Sequence, residues 1–274
     1  MRAAILQMTS GIDPAANART LTDAIDEATR GGAAMLFTPE MSGLIDRNRD
    51  RAAGVITAED DDRVLGSVRD AAVRTGLWVH LGSLAVRRED GRLVNRAFVI
   101  DGNGTVRARY DKLHLFDVDL PTGESWRESA AYVGGDAAVV VATPLGNLGL
   151  SICYDVRFPS LYQRLSDAGA TLIAVPAAFT RPTGAAHWQV LLQARAIENA
   201  AFVIAAAQTG RHEDGRETYG HSLAIGPWGE VLCDMGEQPG LALVDIDAEK
   251  VSEVRGRIPV TMHRRDIPPV RVVP

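Results

Sequence analysis

Short apolar runs rich in Val, Ile and Leu recur along most of this chain, and segments with helical spacing of apolar residues separate several of them. Runs such as 3–8, 171–176 and 202–207 have the length of buried strands and are too short for ordinary helices. Alternation of such strands with amphipathic helices predicts an α/β fold in which helices cover buried sheets. The predicted strands are 3–8, 33–38, 77–84, 97–100, 138–142, 149–153, 171–176, 202–207, 222–225 and 242–246, and the predicted helices begin after Pro14, cover 61–74, begin after Pro159 and cover 186–200.

Two predicted hairpins indicate that the sheets are mixed. The Asp-Gly-Asn-Gly segment 101–104 and the Gly-Pro-Trp-Gly segment 226–229 each join two strands through a tight turn, which makes those strands antiparallel. A purely parallel dinucleotide-binding sheet is therefore disfavoured, and the sequence has no glycine-rich phosphate loop. The 274 residues, 46% of them hydrophobic, suit one large domain over 1–274, because no linker interrupts them.

The charge balance favours a small molecule over a nucleic acid as the partner. The net charge is -6, and the Lys and Arg residues are scattered instead of forming a basic stripe. The two cysteines, Cys153 and Cys233, are too few for a disulfide framework, and Gln7 interrupts the apolar run that a secretory signal would need. No apolar run approaches the roughly 18 residues that cross a bilayer. We therefore expect a cytoplasmic protein that contacts neither membrane nor nucleic acid.

Cys153 lies where an apolar strand stops, in the segment 148–159 (Leu-Gly-Leu-Ser-Ile-Cys-Tyr-Asp-Val-Arg-Phe-Pro). A side chain at the carboxyl end of such a strand is held rigidly and faces the crevice where α/β proteins bind ligands. Cys153 is thus a candidate nucleophile. The alternative, equally weighted on this segment alone, is a small buried hydrophobic residue at the end of a core strand.

Two further segments deliver ionisable groups in the same way. Glu40 follows an apolar strand in Leu-Phe-Thr-Pro-Glu, and Lys112 follows a hairpin strand in Arg-Tyr-Asp-Lys-Leu-His. Glu40 is a candidate general base and Lys112 a candidate stabiliser of negative charge. Taken singly, each has a commoner explanation, a surface glutamate or a lysine whose stem covers apolar surface. Their joint occurrence with Cys153 favours a catalytic site.

These segments, in this order, resemble the Glu-Lys-Cys triad of the nitrilase superfamily of carbon–nitrogen hydrolases. The resemblance extends over nearly the whole chain and includes Glu128, which matches a second glutamate of the family; the nearby Glu124 does not fit the family's spacing. It implies a four-layer α-β-β-α sandwich with two mixed β-sheets. It also implies a homodimer or larger homo-oligomer, with the proline-rich C-terminal segment 258–274 extended and packed on a neighbouring subunit.

For a member of this superfamily, amide chemistry assigns a role to each group. The Cys153 sulfur attacks the amide carbonyl after Glu40 takes its proton, because an ordinary thiol is mostly protonated at neutral pH. Lys112 and the backbone N–H of Tyr154 stabilise the oxyanion, and Glu40 then protonates the leaving nitrogen and activates the water that hydrolyses the thioester. Glu128 positions Lys112 or the substrate. The predicted reaction converts a small primary amide into a carboxylate and ammonia.

Three residues are predicted to bind the substrate beside Tyr154. Arg157 lies four residues beyond the cysteine, and a guanidinium suits a substrate carboxylate, although it can equally fix a loop by ion pairing. Phe179 and Thr183 lie in a turn-rich loop, 177–184, that we expect to border the pocket. His187, on the first turn of the helix that follows, has no partner at catalytic spacing and is assigned to packing or capping.

Within the superfamily, the segments 183–188, 194–199, 205–212 and 219–222 are most similar to the deaminated glutathione amidase branch. The ω-amidase branch comes next, and another amidase or N-carbamoylase of the family is a further alternative. Departures from the family pattern at Ser160, at Arg181-Pro182 and at 213–216 (Glu-Asp-Gly-Arg) bear on specificity. A catalytically silent binding protein of the same fold is the alternative from another class. We expect no cofactor and no metal, because the histidines form no ligand motif: His80, His114, His187, His212, His221 and His263.

Overall fold

The computed structural model describes residues 1–119, 123 and 125–273, so Glu124 lies outside the described part. Its strands are β1 (Arg2–Gln7), β2 (Met35–Phe37), β3 (Trp78–Arg87), β4 (Leu93–Ile100), β5 (Val106–Asp111), β6 (Asp117–Asp119), β7 (Ser125–Arg127), β8 (Val140–Thr143), β9 (Gly146–Leu150), β10 (Leu172–Ala174), β11 (Phe202–Ala205), β12 (Thr209–Arg211), β13 (Glu217–Tyr219), β14 (Leu223–Ile225), β15 (Val231–Asp234) and β16 (Gly240–Asp245). Its helices are α1 (Pro14–Arg30), α2 (Arg49–Ala53), α3 (Arg63–Thr75), α4 (Pro159–Asp167), α5 (Arg181–Asn199), α6 (Glu249–Arg257) and α7 (Val260–His263).

Two six-stranded sheets dominate the fold, as the resemblance implied, and both are mixed, as the hairpins predicted. Their strand orders are β16-β1-β2-β3-β4-β5 and β15-β14-β11-β10-β9-β8. Three neighbouring strands of each sheet run parallel, β1 to β3 and β9 to β11, and antiparallel strands flank them. Each sheet therefore has one edge at which the carboxyl ends of parallel strands meet, which is where α/β proteins place ligand sites.

The alternation of side chains along β1 shows how the layers are arranged. Ala3 and Ile5 pack in the core shared with the second sheet, whereas Ala4 and Leu6 pack in a second core with α1 and α3. Helices α4 and α5 pack against the second sheet, at β9, β11 and β14. Helices, sheet, sheet and helices thus form the four-layer α-β-β-α sandwich that the resemblance implied. No helix in the described part of the chain is both long and apolar enough to cross a membrane.

Two boundaries differ from the prediction near the candidate site. The strand expected over 149–153 ends at Leu150, and Cys153 begins a 3-10 helix. The helix expected from 186 begins at Arg181, because Pro182 fits a helical first turn, where its missing N–H costs nothing. Thr183 therefore lies on the first turn of α5 instead of in a loop. The short hairpins β6/β7 and β12/β13 were not predicted, since their three-residue strands contain no apolar run.

The C-terminal segment is not extended throughout. Residues 260–263 form the single-turn helix α7, and residues 264–273 form neither helix nor strand. The guanidinium of Arg264 holds the start of this segment to the body of the protein, donating to the Glu198 carbonyl at 3.1 Å and to Asn199 Oδ1 at 2.8 Å. Beyond it, Ile267, Val270 and Val272 are each 85% exposed.

Candidate active site

Cys153 lies in a sharp turn between β9 and α4. It is the first residue of the 3-10 helix Cys153–Arg157, and its φ of 50° is in the left-handed region that non-glycine residues rarely adopt. Its own N–H donates to the Pro176 carbonyl at 2.8 Å. Such backbone strain persists only where surrounding contacts enforce it, and it is common at active sites. Cys153 thus lies beyond the carboxyl end of β9 and belongs to a turn.

Asp155 fixes this turn, a role that the sequence did not reveal. Its side chain is completely buried, and Oδ2 accepts from the Tyr110 hydroxyl at 2.7 Å and from the Ile152 N–H at 2.8 Å. Oδ1 accepts from the His114 N–H at 3.0 Å and lies 2.7 Å from His114 Nδ1. One carboxylate thus ties the cysteine turn to the end of β5, next to Lys112.

Replacing Asp155 with asparagine should therefore lower both stability and the rate of amide hydrolysis. The amide cannot accept from four donors, so buried N–H or O–H groups lose their partners, at a cost of about 3 kcal/mol in the free energy of unfolding. Urea unfolding and kcat/KM measure the two effects. Tyr110→Phe is the matched control, because it removes one donor and leaves the carboxylate. Equal stability of Asp155→Asn and the wild-type protein would contradict this role.

Glu40 lies in the loop after β2, and the backbone of this loop packs closely against β3. Gly82 permits this contact, because a Cβ there would lie 2.0 Å from the Thr38 carbonyl oxygen. Thr38 Oγ1 accepts from the Gly82 N–H at 2.9 Å, and Met41, directly after Glu40, has a φ of 54°. The Gln208 amide donates to the Glu40 carbonyl at 2.9 Å. The position of the Glu40 carboxylate is thus set by a constrained backbone.

Every oxygen of the Glu40 carboxylate has a donor. Oε1 accepts from Lys112 Nζ at 2.9 Å and from Asn95 Nδ2 at 2.9 Å, and Oε2 accepts from the Ala178 N–H at 2.9 Å. The residue is only 5% exposed. These bonds orient one carboxylate toward Cys153 and Lys112 together.

Lys112 lies between two carboxylates. Beside the contact with Glu40, its Nζ is 2.9 Å from Glu128 Oε2 and 3.1 Å from Glu128 Oε1. Glu128 in turn accepts from the Phe116 N–H at 2.7 Å. The Lys112 side chain is 2% exposed, so its charge is stable there only because both carboxylates neutralise it.

Burial and these charges determine the protonation states. Burial alone would lower the pKa of Lys112, but the charges of Glu128 and Glu40 outweigh it and hold that pKa well above the usual value, so the ammonium stays charged. Burial raises the pKa of the Cys153 thiol, and the charge of Glu40 and its hydrogen bond to the thiol raise it further, against the opposing charge of Lys112. The resting cysteine is therefore a thiol that needs a base.

Substituting Glu40 by glutamine should shift the titration of Cys153 to lower pH. The substitution removes the negative neighbour that raises the thiol pKa, while Lys112 remains, so the midpoint should fall below that of the protein with Glu40. The rate of alkylation by iodoacetamide as a function of pH reports this midpoint. The measurement uses a Cys233→Ala background, so that Cys153 is the cysteine that reacts. An upward shift of the midpoint would show that Glu40 does not act on this thiol as the structure indicates.

Asn95 is a site residue that sequence reasoning missed. Asn95 lies on β4, and its Nδ2 donates to Glu40 Oε1 at 2.9 Å and to Glu128 Oε1 at 3.2 Å. Its backbone carbonyl accepts from the Lys112 N–H at 2.9 Å. A single asparagine in an apolar strand pattern carries no catalytic signal. Asn95 could have been recognised only from its position beside Lys112 in the β4/β5 hairpin.

A cavity of about 670 Å³ opens beside these groups, and all four predicted catalytic side chains line it. Phe179 and Thr183 also line it, as expected of substrate-binding residues. Tyr154 and Arg157 are not among its lining residues. The guanidinium of Arg157 instead lies over the Phe179 ring, 5.5 Å from its centroid, and 3.4 Å from His187 Nδ1. A role of Arg157 in substrate binding therefore remains a prediction.

The backbone N–H of Tyr154 stays a predicted oxyanion donor. Tyr154 is the second residue of the 3-10 helix, where an N–H has no partner within the helix. The ring of Tyr154 packs edge-on against Phe116, with centroids 5.1 Å apart, and so fixes this turn from outside the cavity. The N–H of Cys153, in contrast, is already bonded to Pro176.

Comparison with known proteins places this geometry in a family. The model of the carbon–nitrogen hydrolase family matches residues 2–256. The chain belongs to the carbon–nitrogen hydrolase family. It is accordingly a hydrolase that acts on carbon–nitrogen bonds other than peptide bonds, and the resemblance to the nitrilase superfamily is confirmed.

Individual relatives agree with this membership. The deaminated glutathione amidase of Synechocystis sp. is 44% identical over 269 residues, which cover 96% of this chain and 97% of that protein. The solved structure of the C. elegans NitFhit protein has a TM-score of 0.89 and 38% identity, and it covers 96% of this chain and 65% of that chain. An amidase from Nesterenkonia sp. AN1, solved as a Glu-to-Gln mutant with acrylamide added to its active-site cysteine, is 30% identical, with a TM-score of 0.78 and coverage of 94% of this chain and 98% of that chain.

Across 1–119, 123 and 125–273, no group of three or more His, Cys, Asp or Glu side chains is arranged to hold a metal ion. We still predict that the enzyme needs no cofactor. Retention of activity in EDTA would support this prediction.

Proposed function

We propose that this carbon–nitrogen hydrolase cleaves a small-molecule amide through a thioester on Cys153. The observation that supports this most is the convergence of the Cys153 thiol, the Glu40 carboxylate and the Lys112 ammonium on one cavity. These three groups come from different elements, more than 40 residues apart in sequence, and each has the chemistry that one step of the reaction needs.

The first half of the reaction acylates the enzyme. Glu40 takes the thiol proton as the sulfur attacks the carbonyl carbon, and the developing oxyanion accepts from Lys112 and from the Tyr154 N–H. Collapse of the tetrahedral intermediate breaks the carbon–nitrogen bond. Glu40 returns the proton to the leaving nitrogen, which departs as a neutral amine or ammonia and leaves the thioester.

The second half hydrolyses the thioester. Water takes the place of the leaving group, Glu40 accepts its proton, and the resulting hydroxide attacks the thioester carbonyl while the same donors stabilise the oxyanion. Collapse of the second tetrahedral intermediate breaks the carbon–sulfur bond, and Glu40 returns its proton to the sulfur, so the products are a carboxylic acid and the restored thiol. Glu128 and Asn95 hold Lys112 and Glu40 in position throughout, so we propose that they position catalytic groups and do not exchange protons.

We further propose deaminated glutathione as the substrate, with the α-keto acid at the acyl end. The identity of 44% to a protein named deaminated glutathione amidase supports this, and so does a cavity larger than a minimal amide would need. Both amides of deaminated glutathione are secondary, so its hydrolysis releases an amine and not ammonia. The expectation of ammonia applies to a primary amide such as α-ketoglutaramate, the substrate of the ω-amidase alternative.

The test measures hydrolysis of deaminated glutathione and α-ketoglutaramate by the purified protein, with product analysis by mass spectrometry. We expect a higher kcat/KM on deaminated glutathione, with α-ketoglutarate and cysteinylglycine as products. A higher value on α-ketoglutaramate, with ammonia release, would instead support ω-amidase activity. Binding of either compound without turnover would support a catalytically silent binding protein.

We also propose that residues 1–274 form one hydrolase domain that acts as a cytoplasmic homo-oligomer. The exposed apolar side chains Ile267, Val270 and Val272 support an interface between copies of the chain, and the free cysteines Cys153 and Cys233 suit a reducing compartment. Sedimentation of the protein and of a variant lacking residues 267–274 tests the assembly. The truncation keeps Arg264 and its contacts to the body of the protein. A purely monomeric full-length protein would contradict the proposal.

A further inference from the structure

The base and the nucleophile of the proposed reaction come from different sheets. Glu40 follows β2 of the first sheet, whereas Cys153 follows β9 of the second. The Glu40 carboxylate contacts the second sheet at the Ala178 N–H, which donates to Oε2 at 2.9 Å. Proton transfer between Glu40 and the Cys153 thiol therefore depends on how the two sheets are positioned relative to each other at this edge.

The chain after β11 joins the two sheets at the same edge. The N–H of Gln208 donates to the Ala177 carbonyl, in the loop after β10, at 2.8 Å. The N–H of the next residue, Thr209, donates to the carbonyl of Met8, directly after β1, at 3.0 Å. Gln208 thus lies where the backbone passes from pairing with the second sheet to pairing with the first.

The side chain of Gln208 extends this link to Glu40. It is completely buried, and its Oε1 accepts from the Ser10 N–H at 3.0 Å. Its Nε2 donates to Ser10 Oγ at 2.7 Å and to the Glu40 carbonyl at 2.9 Å. A backbone N–H can donate only to the amide oxygen, and a carbonyl can accept only from the amide nitrogen, so these contacts fix the orientation of the amide.

Ser10, which anchors the Gln208 amide, is itself held in place by a buried histidine. His212 Nδ1 lies 2.8 Å from the Ser10 carbonyl, and Nε2 lies 2.8 Å from Thr218 Oγ1. Burial lowers the pKa of His212, which favours the neutral ring. Because a carbonyl only accepts, Nδ1 carries the hydrogen and Nε2 accepts from the Thr218 hydroxyl. The Gln208 amide is therefore attached to a fixed part of the backbone.

We propose that Gln208 is a positioning residue that holds the Glu40 carboxylate at the Cys153 thiol. This role rests on the proposed function, which makes Glu40 the base. The contacts of the Glu40 loop with Gly82 and Ser83 fix it only relative to β3 of its own sheet. Gln208 fixes it relative to the second sheet, which carries the nucleophile. A displacement of about 1 Å between reacting groups can cost a factor of about 100 in rate, so this bond controls the rate of proton transfer.

Gln7 provides a matched control, because it is also a buried glutamine that joins the two sheets. Its amide makes three hydrogen bonds, as that of Gln208 does, each at 2.8 Å. Nε2 donates to two backbone carbonyls, and Oε1 accepts from a backbone N–H; these partners are Gly236, Gln238 and Ser222. None of the three belongs to the Glu40 loop. Replacement of either glutamine by methionine therefore removes a similar buried link, but only one of the links reaches Glu40.

The experiment compares Gln208→Met with Gln7→Met, both in a Cys233→Ala background. The pH dependence of iodoacetamide alkylation reports the titration of Cys153. We expect its midpoint to fall in Gln208→Met, in the direction of Glu40→Gln, because the thiol loses part of the Glu40 charge and hydrogen bond that raise its pKa. The midpoint in Gln7→Met should stay at the wild-type value.

Kinetics on deaminated glutathione provide the second measurement. We expect kcat to fall about 30-fold in Gln208→Met while KM changes by less than about threefold, because Gln208 is not among the residues that line the cavity. Gln7→Met should keep kcat within about twofold. Urea unfolding should show a lower midpoint for both variants, so loss of stability alone does not account for a difference between them.

Combining Gln208→Met with Glu40→Gln tests whether the effect passes through Glu40. The double variant should have the same Cys153 midpoint as Glu40→Gln alone. A further fall in the double variant, or equal midpoints for Gln208→Met and Gln7→Met, overturns the proposal. Gln208→Asn keeps an amide but shortens the side chain by one methylene, and it should shift the midpoint in the same direction if Gln208→Met does not fold.

The thiol titration needs no substrate, so it separates this proposal from the proposed function. A Gln208-dependent midpoint in a protein that hydrolyses neither deaminated glutathione nor α-ketoglutaramate would support the positioning of Glu40 and refute the proposed reaction. Full amide hydrolysis by Gln208→Met, with an unshifted midpoint, would support the reaction and refute the role of Gln208.

Discussion

Replacing Cys153 with alanine is expected to lower kcat/KM by a factor of about 10⁴ or more while the protein stays folded. The loss is large because the Cys153 sulfur forms the covalent bond to the substrate. Without this nucleophile, the oxyanion donors accelerate amide hydrolysis little. The structural change is small, because both residues occupy the left-handed backbone at position 153 with similar strain. The free energy of unfolding should change by about 1 kcal/mol.

Cys233→Ala is the matched control for this experiment. Cys233 lies on β15, paired opposite Ala224, and is half-buried. Its removal should leave kcat/KM within a factor of about two, since surface-proximal substitutions away from the site have small effects. Retention of most of the activity in Cys153→Ala would eliminate the thioester mechanism, whatever the stability of the variant.

Replacing Lys112 with methionine is expected to damage both activity and stability. The variant keeps Glu40 and Glu128 buried and facing one another without a cation, which should cost about 3–5 kcal/mol in the free energy of unfolding. The loss of an oxyanion donor should lower kcat by about 10²- to 10³-fold in the fraction that remains folded. Urea unfolding and single-turnover kinetics separate the two effects.

A second variant distinguishes electrostatic strain from loss of catalysis. Adding Glu128→Gln to Lys112→Met removes one of the two unpaired charges, so it should recover a substantial part of the stability and none of the catalytic rate. Lys250→Met provides the matched control, because Lys250 is the other lysine of the chain and is exposed on α6. If Lys112→Met is as stable as Lys250→Met, the two carboxylates are not held charged against each other in the folded protein.

The sequence pattern predicted an α/β fold with buried mixed sheets and the main catalytic candidates, and the resemblance to the nitrilase superfamily implied the four layers. Its apolar runs have the strand period on β1, with Ala3 and Ile5 on one face and Ala4 and Leu6 on the other, so both faces had to be buried. Glu40 and Cys153 could be proposed because each follows an apolar run, and Lys112 because it follows a hairpin strand. Such patterns depend only on residues that are neighbours in the chain, so the sequence shows them directly.

Only the tertiary structure decided how these groups interact. Asn95 and Asp155 act through bonds to residues 55 and 45 positions away, Glu40 and Tyr110 respectively, and nothing in their own segments indicates this. The positive φ of Cys153 follows from contacts of the surrounding turn, which local strand propensity cannot anticipate. Arg47 and Arg216, which come from two loops, likewise meet Trp126 of β7 only in the folded protein. Long-range packing determines these features because each depends on chain segments that meet only after the sheets have formed.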